Sequence, residues 1–301
     1  MSLSTKRIIF IVGPTAIGKT ALSLNLAKKL QTEIISCDSR QFYKELKIGS
    51  APPTKENLLE VKHHFIHNLS IHNDYNAGKF EIDAINLIKK LHKKNNTIIA
   101  VGGSGLYIDA ICQGFDKIPP ISKQSRDKAR KKYQNKGLSW LQQEFKYIDP
   151  DNYSSYDLNN SQRLLREIEV FYETGQKLSS FKTNKVKKRS FEIIKIGLNI
   201  ERNLLYELID KRVDLMMSNG LLEEVKSLSD FQNVNALQTV GYKELFKFIN
   251  NQYTLEEAVK NIKKNTRRFA KRQLTWFRKD KSIKWIKPDQ LTTIAGIISE
   301  S

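Results

Sequence analysis

The most specific chemistry in this 301-residue chain lies in Gly13-Pro14-Thr15-Ala16-Ile17-Gly18-Lys19-Thr20. Two glycines let a turn present consecutive backbone N–H groups, and a helix starting at the end of that turn adds its own unpaired donors, so an anion is cradled between them. Lys19 supplies a charge for the terminal phosphates and Thr20 a hydroxyl for Mg²⁺, the equipment of a site that holds a diphosphate or triphosphate. Taken by itself, such a loop points to a kinase or an ATP-binding ATPase.

Two further groups fall where they can act on the same ligand. Ile34-Ile35-Ser36-Cys37-Asp38-Ser39-Arg40-Gln41 ends an apolar run on an acid. Asp38 there can serve as a general base, bind Mg²⁺, or cap the next helix. Val101-Gly102-Gly103-Ser104-Gly105-Leu106-Tyr107 forms a second glycine turn, from which Ser104 can donate to a phosphate oxygen; close packing of a strand on a helix selects the same glycines. His63 and His64 have no third ligand at metal spacing and read as structural or helix-capping.

These residues are positioned by alternating elements. The pattern predicts strands at Arg7–Val12, Glu33–Ser36 and Thr97–Val101, and helices at Thr20–Leu30, Phe80–Lys94 and from Leu106. Strand–helix alternation of this kind builds a parallel sheet, here an α/β core of the P-loop NTPase-like type over residues 1–113. Charged helical segments such as Ser125–Gln134 and Gln162–Thr174 predict a helical insertion domain at 114–189, whose basic end, 175–189, reads as an exposed loop. Phe191–Leu198 restores a strand, and the rest of 190–301 reads as wholly helical: Leu204–Asn219, Leu221–Leu228, Tyr242–Phe248 and Leu255–Phe277.

Charge narrows the partner. Lys and Arg number 51 against 32 Asp and Glu, a formal net charge of +19, which suits a polyanion, nucleic acid first, although a general bias toward Lys and Asn gives the same sum. The last helix carries Lys260, Lys263, Lys264, Arg267, Arg268, Lys271, Arg272, Arg278 and Lys279 on several faces, with Phe269, Trp276 and Phe277 interleaved, reading as core anchors ahead of stacking platforms for bases. Cys37 and Cys112 offer neither a disulfide framework nor a zinc site. With no membrane-length apolar run and no leader-like start in Met1 to Arg7, the chain is expected to be cytoplasmic and free of membrane.

Taken in order, the phosphate loop, Ile-Ile-Ser-Cys-Asp-Ser-Arg-Gln-Phe-Tyr, Val-Gly-Gly-Ser-Gly-Leu-Tyr, Asn160-Ser161-Gln162-Arg163-Leu164-Leu165-Arg166, Val240-Gly241-Tyr242 and Ala270-Lys271-Arg272-Gln273-Leu274-Thr275-Trp276 resemble the tRNA dimethylallyltransferase, or tRNA isopentenyltransferase, family over nearly the whole chain. The resemblance implies transfer of a dimethylallyl group from dimethylallyl diphosphate to N6 of the adenosine 3′-adjacent to the tRNA anticodon, with release of diphosphate. The phosphate loop then holds a prenyl diphosphate with Mg²⁺, Asp38 is the base, and Ser104 and Arg212 face the reacting groups. It further implies contacts to the anticodon stem-loop from Asp38, Ser39, Arg40, Gln41, Ser104, Arg126, Gln162, Arg163, Leu164, Leu165, Arg166, Gln238, Thr239, Val240, Gly241, Tyr242 and Lys243, and a monomeric enzyme. The chain departs from many members at Ser104, Pro52 and His67, where Thr, Lys and Asp are usual.

Three other readings compete. Prenylation of free adenine nucleotides needs neither a long insertion nor a +19 charge. A small-molecule kinase predicts ATP turnover. A non-catalytic RNA-binding protein does not need the intact Lys19, Thr20 and Asp38 set.

Overall fold

The computed structural model describes residues 5–183, 185–288, 290 and 296. Met1–Ser4, Asn184 within the 175–189 segment, and most of the chain beyond Pro288 lie outside the described residues. Two compact units result: residues 1–113 with 188–301, and residues 114–187.

The larger unit is a six-stranded sheet in the order β3-β2-β4-β1-β5-β6 with every pair parallel. Its strands are β1 (Arg7–Val12), β2 (Ile34–Ser36), β3 (His63–His64), β4 (Thr97–Gly102), β5 (Glu192–Leu198) and β6 (Lys284–Ile286). Ile8-Ile9-Phe10-Ile11-Val12 is fully buried because β1 lies between β4 and β5 with helices on its faces, which is why it reads as a continuous apolar run. Around it pack α1 (Lys19–Lys29), α2 (Lys55–Glu60), α3 (Ala77–Leu91) and α4 (Gly105–Cys112).

The register carries the functional point. Val12 pairs with Gly102 and Ser36 with Val101, so the chain leaves β1, β2 and β4 at one sheet edge, bringing the phosphate loop, Asp38 and the Gly103–Ser104 turn together. Gly102 allows the approach: a Cβ there would lie 2.2 Å from the Cys37 carbonyl oxygen.

The smaller unit consists of α5 (Lys123–Ile148), α6 (Pro150–Tyr153) and α7 (Ser161–Thr174), followed by a 3₁₀ turn at Leu178–Phe181. Leu141, Phe145, Leu164 and Ile168 form its core, with the Phe145 and Tyr156 rings 4.4 Å apart. Gly137, at φ 71° and ψ −166°, breaks α5 past the end of the predicted helix Ser125–Gln134.

The remaining helices of the larger unit are α8 (Arg202–Ser218), α9 (Leu221–Ser227), α10 (Tyr242–Ile249) and α11 (Leu255–Phe277). Three sequence expectations are corrected. The chain past Asn203 is not wholly helical, because β6 adds an edge strand, and His63 and His64 cap no helix but form the edge strand β3, a structural place. Nor is 175–189 simply an exposed loop. Leu178 is buried, and Arg189 donates to the Ile111 and Ala110 carbonyls and to Glu81 at 3.1 Å.

Ile9→Ala would leave a cavity in the middle of β1 and is expected to cost about 2–5 kcal/mol, read as a lowered denaturation midpoint. An unchanged midpoint would contradict this account of the core.

Candidate active site

The phosphate loop joins β1 to α1 with Gly13 at φ 144° and Gly18 at φ 96°, the latter as left-handed cap residue of α1. No side chain caps that helix start, so its N–H groups face outward toward an anion. Lys19 folds back and donates to the Pro14 carbonyl at 2.6 Å. Burial, with the Arg212 charge adding to it and Asp38 opposing, pulls the Lys19 ammonium down to about 7.

Asp38 follows β2. Its Oδ1 accepts from the Arg40 N–H at 2.8 Å and the Gln41 N–H at 3.3 Å in a turn, so Asp38 caps no helix, and its Oδ2 has no hydrogen-bond partner among the described residues. Burial pushes the carboxyl up, against those two N–H bonds and the charges of Lys19 and Arg40. A fixed carboxylate with one free oxygen and a raised affinity for protons has the properties of a general base. Ser104 accepts from the Ser39 N–H at 3.1 Å, which keeps its own proton available to a ligand oxygen.

One residue of this site had no role in the sequence reading. Gln273, 6% exposed on α11, accepts from the Thr15 N–H at 2.9 Å and donates to the Gly103 carbonyl at 2.9 Å, joining the two glycine turns. The available signal was an uncharged amide inside a helix crowded with Lys and Arg. Arg212 on α8 completes the arrangement, donating to the Thr15 hydroxyl at 3.1 Å.

Two clefts, each of about 380 Å³, meet at these groups. The first is lined by Ala16–Thr20, Leu24, Ile66, His63 and Gln273. The second is lined by Ser39, Arg40, Ser104, Gln238, Thr239, Val240, Gly241, Lys243 and Arg272. Thr15, Asp38, Ser50, Ala51, Arg212 and Phe269 border both. His63 Nδ1 donates to the Val61 carbonyl at 2.8 Å, and its Nε2 is buried with no partner.

The other predicted contact residues divide. Arg126 on α5 and Gln162, Arg163, Leu164, Leu165 and Arg166 on α7 all belong to the smaller unit. Leu164 and Leu165 are buried in its core, which leaves Gln162 and Arg163 exposed and Arg166 half-buried. Burial pulls the Arg166 guanidinium below its ordinary value, with Glu169 opposing and the Arg126 charge adding. Tyr242 is fully buried in the larger unit, with its hydroxyl on Glu224 at 2.6 Å. Of the three α11 aromatics, only Phe277 is a buried anchor; Phe269 and Trp276 are more than a third exposed, and Phe269 borders both clefts.

Known proteins share this plan. A family model described as IPP transferase matches residues 41–280. A tRNA dimethylallyltransferase of Christiangramia forsetii is 50% identical over 283 residues, covering 94% of each chain. One from Phocaeicola vulgatus is 44% identical over 291 residues, covering 97% of each. Among solved structures, a tRNA isopentenylpyrophosphate transferase from Bacillus halodurans superposes with a TM-score of 0.71 at 34% identity, covering 98% of this chain and 97% of that one. A eukaryotic dimethylallyltransferase acting on tRNA superposes with a TM-score of 0.78 at 25% identity, covering 98% and 77%. With an α/β core, a phosphate loop and full-length relatives of one kind, the chain belongs to the IPP transferase family of prenyl-transferring tRNA dimethylallyltransferases.

Proposed function

We propose that this chain transfers the dimethylallyl group of dimethylallyl diphosphate to N6 of the adenosine 3′-adjacent to the anticodon of tRNA. The observation that carries this reading is the pair of clefts meeting at Asp38, Thr15 and Arg212, one opening on the phosphate loop and the other on a wall built from Gln238–Lys243. A donor held by its diphosphate in the first and an adenine entering through the second bring their reacting atoms to the shared border. To reach that border the adenine must leave its stack.

The roles follow from the geometry. The amine N6 forms a bond to C1 of the prenyl group as the bond from C1 to the diphosphate oxygen breaks. Asp38 Oδ2 takes the proton that the amine sheds. The electron pair of the broken bond leaves on the diphosphate, where Lys19, Arg212 and the α1 N–H groups stabilise it. A bound diphosphate also restores the charge on Lys19 that burial disfavours.

Magnesium fits this site by donor chemistry. Thr20 offers a hard oxygen, and no group of three or more His, Cys, Asp or Glu among the described residues forms a metal cage, so the substrate phosphates supply most ligands, as Mg²⁺ prefers. When bound, the ion neutralises charge on the leaving diphosphate. The reading is of a cytoplasmic, monomeric enzyme; among the described residues no helix is long and apolar enough to cross a membrane.

The assay incubates the protein with Mg²⁺, dimethylallyl diphosphate and unmodified tRNA, and weighs the tRNA fragment that carries the anticodon. Gain of one isopentenyl unit is expected, and transfer to free AMP, ADP or ATP in its place would overturn the reading. Asp38→Asn is expected to lower kcat by roughly 10²–10⁴-fold while diphosphate binding persists. Wild-type activity falls as pH drops through the Asp38 pKa, which burial sets above the ordinary carboxylate value, and the variant should lack that acid limb. A variant with normal kcat would remove Asp38 from the chemistry.

Gln273→Ala breaks two hydrogen bonds worth about 1 kcal/mol each, so dimethylallyl diphosphate should bind on the order of tenfold more weakly. Titration calorimetry reads this directly, and unaltered affinity would count against the tie. In the smaller unit, Arg163→Ala with Arg166→Ala should weaken tRNA binding, flatten its salt dependence by about two charges and spare the diphosphate. Equal tRNA affinity in the double variant would sink that assignment.

A further inference from the structure

Glu224 on α9 collects four donors on one carboxylate. Its Oε2 accepts from the backbone N–H groups of Lys47 and Ile48, each at 2.8 Å. Its Oε1 accepts from the Gly49 N–H at 3.0 Å and the Tyr242 hydroxyl at 2.6 Å. Every one of these donors is neutral, so oriented dipoles hold the carboxylate, and each bond is of the charge-assisted, stronger kind.

The four donors sit on two segments that run into the lining of the adenosine-side cleft, where Gly49 itself lies. Lys47–Gly49 runs directly into Ser50 and Ala51, and Gly49, Ser50 and Ala51 form one wall. Tyr242 ends the opposite wall, Gln238–Gly241, and starts α10. The two meet tightly, since a Cβ on Gly49 would fall 2.5 Å from the Tyr242 ring. Past the clamp, Ala51 sits in the left-handed region at φ 47° and its carbonyl accepts from Gln41 Nε2 at 2.9 Å. That backbone costs energy, so it needs anchoring at both ends.

We propose that Glu224 is a positioning residue for the acceptor step: it clamps the two walls and sets the width of the cleft that admits the adenosine. The proposal rests on the function argued above. Ser50 and Ala51 also border the first cleft, but the phosphate loop itself is fastened separately, by Gln273 and Arg212, so loosening the clamp acts on tRNA and leaves the grip of the loop on a diphosphate in place.

The test is Glu224→Gln, which keeps the shape but turns an NH₂ group toward N–H donors. Expected are a rise in KM for tRNA of about tenfold, kcat within about threefold of wild type, and a diphosphate Kd within about twofold. Tyr242→Phe, which removes one donor of the four, should raise KM less. Unchanged KM for tRNA, or parallel loss of tRNA and diphosphate affinity, would overturn the proposal, the second by showing a merely structural role. Amide hydrogen exchange read on the same variant does not depend on turnover. Faster exchange in 47–49 and 238–243 with an unchanged 13–20 segment is expected, and uniform or absent change refutes the clamp. If wild-type protein prenylates no tRNA, the functional reading fails, whereas the exchange pattern still decides the clamp.

Discussion

Two glycine turns at one sheet edge make a site only if they keep a fixed separation, and here one buried amide sets it. Gln273 spends its oxygen on the Thr15 N–H and its nitrogen on the Gly103 carbonyl, so the phosphate loop and the second turn share one anchor. That anchor sits on α11, a strongly basic helix, and α11 also presents Phe269 to both clefts. A basic helix and the phosphate loop are therefore tied together within the larger unit. Glycine at 103 is a requirement of the same contact, because a Cβ there would lie 2.2 Å from the amide nitrogen.

The site is built to be completed by an anion. Burial first, and the Arg212 charge after it, depress the Lys19 ammonium, and Asp38 opposes them. Such a cluster is costly while empty and becomes favourable once phosphate charge enters, so the energy of holding the cations together is returned on binding. The same field stabilises the charge that grows on a departing diphosphate. On the function proposed above, ground-state grip and leaving-group stabilisation come from one set of residues, with Asp38 set apart by an Oδ2 that has no hydrogen-bond partner among the described residues and by its two backbone donors.

Much of this was legible in the sequence, for identifiable reasons. β1 is apolar throughout because both its faces are covered, and Leu255–Phe277 carries a helical period strong enough to place both its ends. The residues ordered by local rules, Gly18, Lys19, Thr20 and Asp38, lie in motifs read without a fold. What escaped was either too short or too distant. β3 has two residues and β6 three, and neither spans a period of alternation. Gln273 and Glu224 act on backbone 258 and about 176 positions away, a relation no local pattern encodes. Leu164, Leu165 and Tyr242 sit inside motifs whose neighbours face outward, and only packing reveals that they turn inward.

The unbonded Oδ2 of Asp38 has a consequence for fidelity. A carboxylate able to take a proton from an amine is also able to take one from water, and hydrolysis of an allylic diphosphate would waste the donor. The chemistry of the base offers no discrimination between these nucleophiles. Discrimination has to come from access, because both clefts border Asp38, and the acceptor-side opening is where solvent would enter. On the function proposed above, the nucleobase is therefore its own stopper: the molecule to be modified also seals the reaction from its commonest competitor.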